Sequence, residues 1–108
     1  MEDATYVKKL IDHAAGFEID RIRDADINRF YSPFEGSPKK HPTDDKILVL
    51  IAEPFSRRSR FYEFSIESIG AIEEIGTITS EKGDSAYMIR VWIKKGLTAL
   101  KTEPFVVE

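Results

Sequence analysis

The chain contains no cysteine. Disulfides, thiolate nucleophiles and cysteine-based zinc sites are therefore excluded. Such usage fits a reducing compartment, and the expected location is cytoplasmic. Histidine is scarce, with only His13 and His41. A multi-histidine metal site would need both, and neither has a sequence neighbour of the right type, so no metal is expected. No apolar run approaches the roughly 20 residues that span a bilayer, and no membrane partner is expected. The start, Met1-Glu2-Asp3-Ala4, is acidic and unlike a secretory signal. Phosphate-binding glycine loops, dinucleotide fingerprints and the common protease and calcium motifs are also missing. Excess positive charge is missing as well. The net charge is −3, against a general nucleic-acid binder.

What is present is a strong strand. In Ala86 to Ile93, Tyr87, Ile89, Val91 and Ile93 alternate with Ala86, Met88, Arg90 and Trp92. That period of two predicts one buried apolar face and one half-solvated face. Ile47 to Ala52 is apolar throughout, which predicts a central strand covered on both sides. Arg60 to Ile66 alternates, with Tyr62, Phe64 and Ile66 on one face. Ala71 to Ser80 follows, and the spacing of Ile72 and Ile75 implies a bulge or one helical turn. Lys82-Gly83-Asp84 reads as a hairpin turn and Lys95-Gly96 as a second turn. Leu97 to Val107 reads as a last strand, with Pro104 marking a sheet edge or a bulge.

Ahead of these strands, residues 4–15 predict a helix. Val7, Leu10, Ile11 and Ala14 form its apolar stripe, between Asp3 as N-cap and Gly16 as stop. Residues 17–27 are ambiguous; the reading adopted is an extended segment to Arg23, then a turn at Asp24-Ala25-Asp26. Residues 28–45 hold Pro33, Pro38, Pro42 and Gly36 and read as an irregular loop, pinned by Phe30, Tyr31 and Phe34. The expected fold is α+β and a single domain. An N-terminal helix packs on a strongly bent, barrel-like antiparallel meander of about five strands over 46–107. Acids crowd Glu63 to Glu81 and cations Lys82 to Lys101, which predicts cross-strand ion pairs.

Three clusters could carry chemistry. In Lys39-Lys40-His41-Pro42-Thr43-Asp44-Asp45, His41 could act as a base, Asp44 and Asp45 as Mg²⁺ ligands, and the lysines as phosphate contacts. The same residues also describe a solvated turn capped by Asp44. Arg57, Arg58 and Arg60 could clamp an anion, or merely keep a turn soluble. Trp92, flanked by Arg90 and Lys94, could stack a base or line a peptide groove; otherwise it is a packed indole with its N–H satisfied.

The pieces Lys40-His41-Pro42, Tyr62-Glu63-Phe64, Val91-Trp92-Ile93-Lys94-Lys95-Gly96 and Pro104-Phe105-Val106-Val107 resemble a group of small bacterial proteins that carry an inorganic-pyrophosphatase name. Resemblance to the well-known soluble pyrophosphatases would imply an Asp-x-Asp-Pro-x-Asp run holding several Mg²⁺ ions. This chain has no such run. Asp24-Ala25-Asp26-Ile27 and Asp44-Asp45 are the nearest approaches.

The reading that follows is a small binding or interaction module without a cofactor, open to a small anionic ligand. The alternative is a phosphate-handling enzyme, a Mg²⁺-assisted hydrolase of pyrophosphate or a phosphate ester. Single-stranded nucleic acid at Trp92 is a third, weaker reading. If the sheet stays open, residues 97–100 form an unprotected edge and the seam of a homodimer.

Overall fold

A computed structural model describes residues 8–9, 24–57, 60–101 and 104–108. The predicted helix 4–15 lies outside these, apart from Lys8 and Lys9, which are helical and exposed. The extended segment expected up to Arg23 lies outside them too. Where a turn was expected at 24–26, the chain is already helical, from Asp24 to Phe30. Ile27, on this helix, is buried. Its end is tied down by Lys95. The Lys95 backbone N–H donates to the Phe30 carbonyl at 2.8 Å, and its ammonium donates to the Asn28 carbonyl at 2.8 Å. A cation on these last carbonyls complements the negative end of the helix dipole.

The rest is a mostly-β protein, one seven-stranded antiparallel sheet. The strands are β1 (Tyr31–Lys40), β2 (Ile47–Ile51), β3 (Phe61–Ser65), β4 (Ile69–Thr79), β5 (Ser85–Lys94), β6 (Thr98–Leu100) and β7 (Pro104–Val106). Their order is β4-β5-β1-β2-β3-β6-β7. Among the described residues the sheet does not close into a barrel, and it is not a simple meander, because β5 returns to pair with β1.

The largest correction is β1, which occupies most of the expected loop 28–45. Two prolines disguised it. Tyr31 to Gly36 pair with β5, and Ser37 to Lys40 pair with β2. Among the described residues each half of β1 is thus paired on one side only. A strand so placed tolerates residues without an N–H, as sheet edges do. The switch falls at Gly36. A Cβ there would lie 2.6 Å from the Ile51 carbonyl oxygen and 2.8 Å from Leu50 Cγ, so only glycine fits. Phe34 does anchor the segment, whereas Phe30 is 56% exposed and lies outside the described core.

β5 alternates as its sequence requires. Ile89, Val91 and Ile93 are fully or almost fully buried. They pack with Leu48, Leu50, Phe64, Ile69, Ala99 and Val107, so strands from both ends of the sheet feed one core. The core contains an aromatic group: Phe34 lies 4.9 Å from Phe64 and 5.2 Å from Tyr62, centroid to centroid. In β4 the register slips twice against β5, after Ile69 and after Glu74. The second slip is the bulge that the Ile72–Ile75 spacing implied. The β4–β5 turn has Gly83 at φ 89°, as a tight hairpin requires.

The expected last strand 97–107 is instead a hairpin of β6 and β7. β6 pairs with β3 on one side and β7 on the other. Residues 98–100 are therefore no open edge, and a homodimer seam there would have to displace β7. Among the described residues the edge strands are β4 and β7, and Pro104 begins the latter, as its edge signal indicated.

Candidate functional site

Register decides which side chains meet on the outer face of β1, β2 and β3. Leu48, Leu50 and Phe64 point into the core. The alternate residues therefore point outward. Ser37 stands opposite Ile51, which stands opposite Phe61; Lys39 stands opposite Val49, which stands opposite Glu63. Lys40 falls on the other parity, opposite Leu48. The two adjacent lysines thus do not serve one site.

Among the described residues, two of the cavities open on this face. The first, about 620 Å³, lies between β1, the segment after β2 and the β4–β5 turn. Lys39, Arg57 and Lys82 line it, each from a different segment, with Glu81 and Asp84 on the same rim. Ser37 is 2% exposed and helps form its floor; Ser56, Ser80 and Ser85 add hydroxyls. The turn behind Lys82 is held firmly. The Ser80 N–H donates to the Asp84 carbonyl at 2.7 Å, and the Asp84 N–H donates to Ser80 Oγ at 3.1 Å.

The second cavity, about 590 Å³, is mostly apolar, walled by Pro42, Val49, Ile51 and Phe61, with His41 and Glu63 at one side. His41 is pinned at both ring nitrogens. Its Nδ1 accepts from the N–H of Thr43 at 3.2 Å and of Asp44 at 3.0 Å. Nδ1 therefore carries no proton, and Nε2–H donates to Glu63 Oε1 at 2.9 Å. These bonds fasten the β1–β2 turn to β3. Asp44 is similarly occupied, since its Oδ1 accepts from the Lys46 N–H at 2.9 Å, the local turn cap that its sequence suggested. Asp45 is exposed. Among the described residues no group of three or more histidine, aspartate and glutamate side chains could hold a metal ion.

The remaining candidates separate. Arg58 lies outside the described residues. Arg60 is exposed and lines neither cavity. Trp92 is half-buried on the outer face of β5, and its Nε1–H donates to Glu73 Oε1 at 2.5 Å. Beside it Arg90 is held between two strands, 3.0 Å from Glu35 and 3.5 Å from Glu73. The Glu35 hydrogen bond, then its charge, raises the Arg90 guanidinium above its usual value. The Glu73 contact is the cross-strand pairing expected from the charge distribution, whereas Glu35 lies outside the acidic stretch that suggested it. Tyr87 has its hydroxyl hydrogen-bonded to Glu74. Desolvation first, and Glu74 second, push it up to about 12.

Thus Lys39 and Arg57 come together, while His41 and Trp92 stand elsewhere. The sequence reading missed Lys82, which it took for a turn residue, and Glu63 as the partner of His41. No local signal marks either, because their partners are brought to them by strand pairing. Within the described residues no helix is long and apolar enough to cross a membrane. Compared with family models, curated proteins and solved structures, the chain has no match.

Proposed function

We propose that this protein is a small binding module whose ligand is an anion, taken into the groove between β1, the segment after β2 and the β4–β5 turn. One observation carries the reading: Lys39, Arg57 and Lys82, distant in sequence, line one cavity. These cations outnumber the two carboxylates on its rim. A guanidinium engages an oxyanion through parallel N–H donors, and a lysine adds a point charge. Serine hydroxyls supply further donors that turn to suit the ligand. Because the cations are exposed, attraction is screened by salt.

Calorimetric titration with pyrophosphate and with inorganic phosphate at low ionic strength tests this. Saturable binding that weakens with added salt is expected. Arg57→Ala and Lys82→Ala should each lower affinity at least about fivefold. Lys94→Ala, on an exposed residue outside the groove, should leave it unchanged. Variants at Arg57 and Lys82 that bind like the wild type, or no saturable binding at all, would overturn the proposal.

A further inference from the structure

We infer that the groove's ligand carries an apolar body as well as its anionic group, and that this body lies in the adjoining hollow: an aryl or short alkyl phosphate rather than free phosphate. This rests on the anion-binding reading above. The two cavities are neighbours, because Ile51 lines both. The rows Ser37–Ile51–Phe61 and Lys39–Val49–Glu63 cross the same three strands. Directly opposite residues share a face, so these six side chains form one continuous platform. Neighbouring strands lie about 4.8 Å apart, which puts the cationic end and the apolar end roughly 10 Å from each other. A phosphate joined to one ring spans that distance.

The platform leaves apolar surface in water where a ligand would cover it. Phe61 is 47% exposed and Phe55, on the groove wall, 39%. Clustered exposed apolar groups of this kind mark binding surfaces more often than single ones do. Charge then orients the ligand. Glu63 holds a carboxylate at the far end, and both nitrogens of His41 are already engaged. Among the described residues that end presents an anion with no lysine or arginine. The anionic group therefore belongs at Lys39, Arg57 and Lys82, and the apolar body at Val49, Ile51 and Phe61.

Titration with phenyl phosphate, inorganic phosphate and phenol tests the inference. Phenyl phosphate should bind about tenfold more tightly than inorganic phosphate, the gain from covering part of a ring. Phe61→Ala should abolish that gain and leave inorganic phosphate binding unchanged. Arg57→Ala should weaken both phosphates. In amide shift mapping of the unmodified chain, phenyl phosphate should move Val49 and Phe61, which inorganic phosphate should not. Equal affinity for the two phosphates, with both weakened by Arg57→Ala, would overturn the inference and leave the anion groove standing. Phenol binding as tightly as phenyl phosphate would overturn it too. Failure of both phosphates to bind would overturn both proposals.

Discussion

Replacing Gly36 with alanine should destabilise this protein, although the same change at an unstrained extended position usually helps. Glycine to alanine at a compatible site gains about 0.4–1 kcal/mol by restricting the unfolded chain. At residue 36 the new methyl would sit 2.6 Å from a backbone oxygen of Ile51 and 2.8 Å from Leu50 Cγ. The oxygen belongs to a paired strand and cannot swing aside as a flexible side chain would. Relief requires β1 and β2 to separate, which strains the pairs Ser37–Ile51 and Pro38–Leu50. Overpacking of this kind costs about 1–3 kcal/mol. Against a total stability of about 5–15 kcal/mol for a domain, such a loss is easily measured. Urea unfolding should show a lower midpoint with an unchanged slope, since the surface exposed on unfolding is the same. Unchanged or increased stability would refute the close approach of β1 to β2, and with it the placement of Ser37 and Lys39 in the groove.

Ile89→Ala should cost about 2–4 kcal/mol, because a fully buried side chain leaves a cavity; a loss below about 0.5 kcal/mol in urea would reverse the faces of β5. His41→Ala should cost about 0.5–1.5 kcal/mol by removing the acceptor of two N–H groups, of which that of Thr43 can turn to water, and hydrogen exchange at Thr43 and Asp44 should quicken. Tyr87 should ionise near pH 12, against an ordinary value of 10.0, as read from phenolate absorbance missing in Tyr87→Phe. Because its folded value is raised, its contribution to stability is complete below pH 10 and is lost as pH rises through 12. Purified protein with Mg²⁺ should release no phosphate from pyrophosphate, since Asp44 is engaged by Lys46 and His41 by Glu63; release that disappears in Asp44→Ala would contradict this.

Much of the sheet was legible because its signals are local. The alternation in β5, the unbroken apolar run of β2 and the offset of Ile72 and Ile75 in β4 each report on a few consecutive residues, although the expected cover on both faces of β2 is not found: Ile47, Val49 and Ile51 are only half-buried. β1 was not legible. Pro33 and Pro38 normally argue against a strand, and the reason they are allowed, pairing on alternate sides of Gly36, exists only after folding. The last strand was misread for a related reason: Pro104 correctly marked an edge, but nothing local showed the chain reversing before it. The candidate site divides the same way. Lys39 and Arg57 were visible as charged residues beside strands. Their convergence with Lys82, and the pairing of His41 with Glu63, depend on strand order. Lys40 and Asp45 drop away because alternation and turn geometry turn them from the groove.

The most direct test of the account is amide shift mapping during titration of the ¹⁵N-labelled chain with pyrophosphate. Shifts that saturate together and cluster at Lys39, Ser56, Arg57, Lys82 and Ser85 are the expected result. Saturating shifts centred instead on Arg90 and Trp92, or none at these five residues, would contradict it.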